Sequence, residues 1–162
     1  MRKVIVNSTP LIILCGIGQL DLLKKLYDEI YIPKAVYREV TAKADSACSQ
    51  LKNAEDWIHV VEIKDSTEKK MYKAKLHDGE VEVMILAQEM ESDLVILDDN
   101  AAKKTAKYLG LTVTGTLGIL IRAKREGYIP KVSPVLSEMK DRGFYISGAV
   151  EKMVLEQVEE WI

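Results

Sequence analysis

The sequence predicts an α/β fold with a central parallel sheet that helices cover on both faces. The first observation behind this prediction is that short apolar runs, such as residues 94–97, alternate with longer segments whose apolar residues recur at helical spacing. The second is that Gly, Pro and small polar residues separate the two kinds of segment. The third is that polar residues follow the apolar runs directly, as Asp98 and Asp99 do. Functional groups of parallel sheets lie beyond the carboxyl ends of the strands, so the search for a site begins at this pair.

The first half of the chain is predicted to begin with a short buried strand over residues 3–6. This strand ends at Asn7, Ser8 and Thr9, and Pro10 suits the first position of a helix that follows a Ser or Thr cap. That apolar helix ends at Gly16 and Gly18. The elements predicted after it are a helix over 19–27, a strand over 29–32 and a helix from Pro33 to about Lys43. They are followed by a helix or loop over 44–54, an edge strand over 57–63 and an exposed lysine-rich helix over 64–76.

The second half is predicted to contain a strong helix, from Gly79 to Met90, that Asp78 caps. A buried strand over 94–97 follows, and then an amphipathic helix that ends at Gly110. No repeat or linker interrupts the chain, so residues 1–162 are predicted to form a single domain that includes residues 127–162 as a C-terminal helical element. The remaining predicted elements are a strand over 111–113, a helix after Thr116, a helix from Pro130 to near Gly143, and a last helix with Val150, Val154 and Val158 on one side.

Composition excludes several classes of protein. The chain has 162 residues, of which 48% are hydrophobic and 30% charged, so we expect a folded soluble domain and not a disordered segment. Its net charge of −2 excludes a globally basic nucleic-acid coat but allows a local basic rim. Cys15 and Cys48 lie far apart, which predicts neither a disulfide framework nor a zinc site and favours the reducing cytoplasm. Residues 7–10 interrupt the apolar N-terminus, so no signal peptide is predicted, and no apolar run approaches the length of a membrane span.

Two glutamates lie on the apolar faces of predicted helices. Glu39 shares a face with Ala35 and Val36, and Glu80 heads the apolar stripe of its own helix. A carboxylate on such a face is costly unless a partner compensates its charge, and a hard cation such as Mg²⁺ or Mn²⁺ is one such partner. We therefore expect both glutamates to meet the Asp98–Asp99 pair and the polar end of the first strand. Together these groups would hold Mg²⁺ or Mn²⁺ against a phosphodiester.

These carboxylates also have structural interpretations. Glu80 lies in the first turn of its helix, where the macrodipole favours any glutamate. Glu39 is also placed to pair with a surface base such as Arg38. Asp99 directly precedes a helix, and we favour the interpretation that it caps that helix. The glutamates predicted to be ordinary surface charges are Glu82, Glu89 and Glu91.

Basic residues are predicted on the two helices that begin near the proposed site. Such side chains usually face solvent, but here they are candidates for binding the phosphates of a nucleic acid. The turn Thr114–Thr116 most simply joins a strand to a helix, although its backbone N–H groups are also placed to contact a phosphate. The sequence has no P-loop, no GxGxxG and no Ser-His-Asp signature. The four basic candidates are Lys103, Lys104, Arg122 and Arg125.

Five short motifs, taken in order, indicate a family. They are VNSTPLI at 6–12, IPKAVYREV at 32–40, DGEVE at 78–82, LVILDD at 94–99 and VTGTLG at 113–118. In this order and spacing the chain resembles the PIN-domain superfamily. Within it, the chain is similar to a branch of small prokaryotic proteins that are predicted to bind nucleic acid. Residues 127–147 resemble the C-terminal element of that branch. The resemblance spans nearly the whole chain.

The resemblance implies a three-layer α/β/α fold and a site at the carboxyl edge of its sheet. Many PIN domains are ribonucleases that need Mg²⁺ or Mn²⁺, including the VapC-like toxins of toxin–antitoxin pairs. Asn7 departs from the family, because most active relatives have Asp there. An amide oxygen still ligates a cation but brings no charge, so metal affinity should fall. The implied roles are Glu39, Glu80 and Asp98 as catalytic residues, Asn7, Glu39, Glu80, Asp98 and Asp99 as metal ligands, and Ser8, Thr114 and Thr116 as supports.

Three functions remain open from the sequence. The first is a metal-dependent nuclease that hydrolyses single-stranded or structured RNA, and that acts as the toxin of a pair with an antitoxin protein as partner. The second is a catalytically weakened PIN domain that binds RNA or protein, which Asn7 favours. The third is a small-molecule- or phosphate-binding α/β domain with Asp98 and Asp99 as a receiver-like acidic pair, which needs neither Glu39 nor Glu80. A homodimer in the cytoplasm, with no membrane partner, is expected from the resemblance.

Overall fold

A sheet of five parallel strands forms the centre of the molecule. The structure is a computed structural model that describes residues 2–42, 46–64 and 76–160, with side chains for all of these except 46–48. The predicted helix over 64–76 therefore lies almost wholly outside the described residues. The strands are β1 Val4–Val6, β2 Ile30–Pro33, β3 Ile58–Val61, β4 Leu94–Ile96 and β5 Val113–Thr114.

Helices cover both faces of this sheet, which confirms the predicted three-layer α/β/α fold. No helix within the described ranges is long and apolar enough to cross a membrane. The helices are α1 Ser8–Gly16, α2 Asp21–Tyr27, α3 Lys34–Thr41, α4 Ser46–Lys52, α5 Asp78–Glu89, α6 Asn100–Tyr108, α7 Thr116–Arg125, α8 Ser133–Asp141 and α9 Gly148–Gln157.

The order of the strands across the sheet is β3-β2-β1-β4-β5. The chain builds outward from β1 through β2 to β3, and then returns to the other side of β1 for β4 and β5. The direction of winding therefore reverses between β1 and β4, where Val6 pairs with Ile96. At such a switch point the connections leave the strands towards opposite faces and open a crevice at their carboxyl ends.

Helix α5 is buried on every side. All residues from Gly79 to Ala87 are buried, including two glutamates. A helix that is apolar all round belongs to the interior of a protein, and α5 packs against α3 as well as against β1 and β2. This packing brings the first turn of α5 to the same end of the sheet as α3.

The structure shifts three predicted boundaries for identifiable reasons. Helix α1 begins at Ser8 and not at Pro10, so Asn7 takes the cap position. Strand β5 begins two residues late, because the Leu111 N–H still bonds the carbonyl of Ala106 in the turn that closes α6 (2.9 Å). Helix α8 begins at Ser133 and not at Pro130, because the second proline of that segment, Pro134, takes the favoured place in its first turn.

A buried ionic cluster fixes the end of the chain to two helices. The carboxylate of Glu160, whose side chain is 6% exposed, accepts hydrogen bonds from Lys124 Nζ (2.8 Å) and from the backbone N–H groups of Val132 (2.7 Å) and Ser133 (3.0 Å). Lys124 also donates to the carbonyl of Val158 at 2.7 Å. Burial raises the pKa of Glu160, but these hydrogen bonds outweigh burial and hold the pKa below its ordinary value of 4.5.

Replacing Glu160→Gln should destabilise the protein by about 2 kcal/mol at neutral pH, because one hydrogen bond to a charged acceptor is lost and an amide NH₂ faces a backbone donor. The folded pKa lies below the ordinary value, so this stabilisation is complete above that value and disappears as the pH falls through the folded pKa. Urea unfolding at pH 7 and at low pH measures it. The control Glu156→Gln changes an exposed glutamate and should leave stability unchanged; an equal loss in both variants would contradict the prediction.

Candidate functional site

Asn7 and Asp98 follow the two strands that flank the switch point. Asn7 comes directly after β1, and its N–H donates to the carbonyl of Ile96, the last residue of β4, at 2.9 Å. The Leu97 N–H donates to the carbonyl of Thr114 at the end of β5 (2.9 Å), so the ladder continues until the residue before Asp98. Both polar side chains are thus presented at the carboxyl edge, at the crevice where α/β folds bind ligands.

The side chain of Asn7 has an unsatisfied acceptor. The residue is 4% exposed, and within the part of the chain that the structure describes no group donates a hydrogen bond to its buried oxygen Oδ1. Asn7 occupies the cap position of α1 without using its side chain as a cap. A buried polar atom without a partner costs free energy, and a hard cation is a partner suited to an amide oxygen.

Asp98 is oriented by the first residue of α7. Its Oδ1 accepts the backbone N–H of Thr116 at 2.7 Å, and its Oδ2 accepts the Thr116 hydroxyl at 2.6 Å. Gly115 allows this approach, because a Cβ there would lie 2.7 Å from Asp98 Oδ1 and 3.0 Å from Lys103 Nζ. Asp98 is half-buried, so its carboxylate is fixed in position and still reachable from solvent.

Glu39 reaches the same edge from α3. Its Oε2 accepts the hydroxyl of Ser8 at 2.7 Å, and Ser8 is the neighbour of Asn7. Its Oε1 lies so close to Gly79 that a Cβ on this glycine would overlap it. Glu39 therefore joins the end of β1 to the first turn of α5. The residue as a whole is exposed, which differs from the expectation that its face meets only protein.

Glu80 serves as a cap of α5. It is 7% exposed, and its Oε1 accepts the N–H of His77 at 3.0 Å, which fits the structural interpretation of a first-turn glutamate. The predicted cap, Asp78, is the first helical residue instead. Glu80 adjoins Gly79, so it supports the surface on which Glu39 rests.

The expectation that Glu82 is an ordinary surface charge is wrong, whereas Glu89 does lie at the surface. Glu82 is 4% exposed, and its Oε1 accepts the N–H of Ala35 at 3.1 Å, at the start of α3. Glu89 accepts the N–H of Lys64 (2.9 Å). Glu82 thus holds the helix that carries Glu39. The sequence contained a signal for this, since the residues around Glu82 are apolar on all sides of the helix and leave it no solvent face.

Asp99 and Thr114 have structural contacts of their own. Asp99 is exposed, and its Oδ2 caps α6 by accepting the N–H of Ala102 at 2.8 Å, as its structural interpretation predicts. The hydroxyl of Thr114 lies against Gly118 in the first turn of α7, and its carbonyl completes the sheet. The Asp99 carboxylate and the Thr114 hydroxyl therefore both lie against the first turns of helices.

The basic candidates divide between two ends of the molecule. Lys103 lies beside Asp98, and Lys104, the next residue of α6, is exposed to solvent. Arg122 lies over the ring of Tyr27 at 5.3 Å, and Arg2, just before β1, lies over the same ring at 5.6 Å. This places Arg122 at the amino edge of the sheet, away from Asp98, and Arg125 lies further along the same helix.

Arg122 and Arg125 therefore do not lie beside Asp98, and the reason is geometric. Helix α7 begins at the carboxyl edge with Thr116 but runs back along the sheet, so that Arg122 reaches the Tyr27 ring beside Arg2 at the amino edge. Arg122 is six residues into α7, which carries it roughly 9 Å from the start of the helix. It also pairs with Glu126 at 3.4 Å.

The donor set suits a hard cation in kind. Asn7 Oδ1, the Asp98 carboxylate and the Glu39 carboxylate are all oxygen donors, which Mg²⁺ and Mn²⁺ prefer. However, within residues 2–42, 46–64 and 76–160 no three His, Cys, Asp or Glu side chains are gathered closely enough to form a metal cluster. The predicted convergence of five ligands is thus not seen as one cluster. This edge presents the Asn7 Oδ1, which accepts no hydrogen bond from the described residues. It also presents the carboxylates of Asp98 and Glu39, which Thr116 and Ser8 orient by hydrogen bonds.

Comparison with known families identifies the fold. A family model described as a PIN domain (DUF3368) matches residues 3–160. The chain belongs to the PIN-domain superfamily. A search of curated proteins found no match. Membership suggests a nuclease-type fold and nucleic-acid binding, and PIN domains generally use divalent metals.

Replacing Gly115→Ala should displace the Asp98 carboxylate, because the new Cβ would lie 2.7 Å from Oδ1. We expect a loss of about 1–3 kcal/mol in the free energy of unfolding, as for other overpacked sites. The matched control is Gly148→Ala, where a Cβ meets nothing within 4 Å, and which should be neutral or stabilise by up to about 1 kcal/mol. Chemical denaturation of both variants measures the difference; equal stabilities would show that Gly115 is not needed for the close approach.

Proposed function

We propose that this PIN domain is a divalent-metal-dependent ribonuclease whose working edge is the switch point between β1 and β4. The observation that carries the proposal is the buried Oδ1 of Asn7, which accepts no hydrogen bond from the described residues. Asn7 follows the strand that pairs with the one leading to Asp98. An oriented oxygen without a hydrogen-bond donor is what a hard cation requires, and a second oxygen ligand from Asp98 would share the ion.

Mg²⁺ or Mn²⁺ would be held by Asn7 and Asp98, with Glu39 facing the same edge. When bound, the ion would polarise a phosphate oxygen and lower the pKa of a water. The chain's own residues supply the rest. Thr116 holds Asp98 in orientation, and Ser8 holds Glu39. The exposed Glu39 carboxylate is placed to take a proton from an attacking water.

Lys103 would bind the negatively charged phosphate of the substrate. Its ammonium group lies next to Asp98 at Gly115, so a phosphate brought to Asp98 meets a positive charge there. Lys104, on the outer surface of α6, extends this charge along the helix. Phosphate contacts of this kind carry affinity for RNA without reading its sequence.

The second candidate function is a catalytically weakened PIN domain that binds RNA or protein. Asn7 favours it, because an amide supplies no charge to a metal ion. The glutamates Glu80 and Glu82 favour it too, because both carboxylates are committed to helix N-termini. For the first candidate, the ribonuclease, the family resemblance alone leads us to propose a cytoplasmic homodimer that acts as the toxin of a pair. Its partner would be an antitoxin protein.

The two candidates differ in a cleavage assay on a mixed pool of RNA. We expect the wild type to cleave slowly in Mn²⁺ and to stop in EDTA, and Asp98→Ala to lose cleavage by about 100-fold or more, as when one charge-stabilising group is removed. Asn7→Asp should cleave faster than the wild type, since a full negative charge then faces the cation. The matched control is Asp99→Asn, which keeps a capping side chain and should retain cleavage.

Each outcome assigns the protein to one function. Cleavage lost in Asp98→Ala but kept in Asp99→Asn supports the ribonuclease. Cleavage that only Asn7→Asp performs supports the weakened domain. If all variants fail to cleave and none binds RNA, the ribonuclease proposal is withdrawn.

A further inference from the structure

A cavity of about 820 Å³ extends from the Asp98 edge to the C-terminal helices. Its polar end is lined by Asp98, Lys103 and Thr116, and its opposite wall by residues 144–147 and α9. Its volume lies within the range of about 300–1,000 Å³ that is usual for ligand sites. The proposed working edge is therefore one end of a larger groove, and nothing in the proposed function yet uses the other end.

The far wall of this groove presents apolar surface to solvent. Tyr145 is 89% exposed and Met153 is 51% exposed, and both line the cavity. Single exposed apolar residues are common on proteins and need no explanation. Tyr108, which is 90% exposed at the end of α6 and does not line this cavity, is such a case. The observation that matters is that an exposed aromatic ring and an exposed methionine share one groove with Asp98.

The backbone holds Tyr145 in a fixed place. On one side, the Phe144 N–H bonds the carbonyl of Met139 at 2.9 Å, and the Phe144 ring packs on Gly16. On the other side, the hydroxyl of Ser147 caps α9 by accepting the N–H of Val150 at 3.2 Å. The segment that carries Tyr145 is thus anchored at both ends. The backbone of this segment would therefore lose little conformational entropy when a ligand covers the ring.

We propose that Tyr145 is a stacking platform for an unpaired base of the nucleic acid whose phosphate lies at the Asp98–Lys103 end of the groove. The inference rests on the proposed function and specifies its substrate. A nucleotide offers a negative phosphate and a flat apolar base, and the groove offers an ammonium group at one end and an aromatic face at the other. A base in a duplex has both faces covered by its neighbours, so the platform selects single strands, loops and ends.

A helix of a partner protein is the alternative occupant of this groove. The apolar face of an amphipathic helix would pack on the apolar wall, chiefly on Met153 and Val150. Such packing would not involve the ammonium group of Lys103 beside Asp98. The continuity of the wall with the charged edge favours a nucleotide. Because every base has an aromatic face, the platform should tolerate different sequences.

The test measures binding of a fluorescein-labelled 12-nucleotide single-stranded RNA of mixed sequence by anisotropy, in EDTA so that no cleavage occurs. Tyr145→Ala should weaken binding by roughly 5- to 150-fold, the range expected for loss of one stacked base. Tyr145→Phe keeps the aromatic face and should bind like the wild type. Tyr108→Ala removes an equally exposed tyrosine outside the groove and should also bind like the wild type. The same RNA as a duplex should bind more weakly and should not respond to Tyr145→Ala.

Several results would overturn the platform. They are unchanged binding by Tyr145→Ala, an equal loss in Tyr108→Ala, an equal loss for duplex and single strand, and no binding of the RNA by the wild type. Cleavage in Mn²⁺ separates this proposal from the ribonuclease. Binding that depends on Tyr145 without cleavage would remove the ribonuclease and keep the platform. Cleavage with the same KM in Tyr145→Ala would keep the ribonuclease and remove the platform.

Discussion

The parallel pairing of β1 with β4 is the constraint on which the rest of the structure depends. Because Val6 pairs with Ile96 and the Asn7 N–H bonds the Ile96 carbonyl at 2.9 Å, two segments almost ninety residues apart end side by side. The reversal of winding at this pair opens a crevice at the carboxyl ends of the strands. Every group proposed to act on a phosphodiester lies at this crevice. Some of these groups follow the end of a strand directly, and the others lie on helices that begin at that edge.

Carboxylates at helix N-termini stabilise the edge without a metal ion. Glu80, Glu82, Asp98 and Asp99 each accept a backbone N–H in or next to the first turn of a helix, where the macrodipole favours negative charge. The acidic surface is therefore compatible with a folded, metal-free protein. The same bonds orient Asp98 in advance, which lowers the entropy cost of binding an ion. Weak but well-oriented metal binding is the expected consequence, since Asn7 contributes no charge.

The sequence predicted the fold and the edge well, because both follow from local patterns. The apolar runs identified the five strands, and the polar residues after them identified Asn7 and Asp98. It could not predict which glutamates contact what, because helix periodicity gives the face of a residue but not its neighbour. Glu82 is the example: its bond to Ala35 crosses from α5 to α3. The position of Arg122 was not predicted for a related reason. The residue at which α7 begins does not show how far from Asp98 a side chain later in the helix lies. Tyr145 was missed because an exposed aromatic residue in a loop has no periodicity to reveal it.

The central claim, that the ends of β1 and β4 form a cation site, is tested most directly by X-ray diffraction from crystals soaked in Mn²⁺. Anomalous scattering at the manganese edge locates the ion independently of any activity. The expected result is a single strong peak within about 2.0–2.6 Å of Asn7 Oδ1 and an Asp98 oxygen, the range of hard-cation contacts. A fully occupied peak elsewhere on the molecule, or no peak at this edge at a Mn²⁺ concentration that supports cleavage, would contradict the claim.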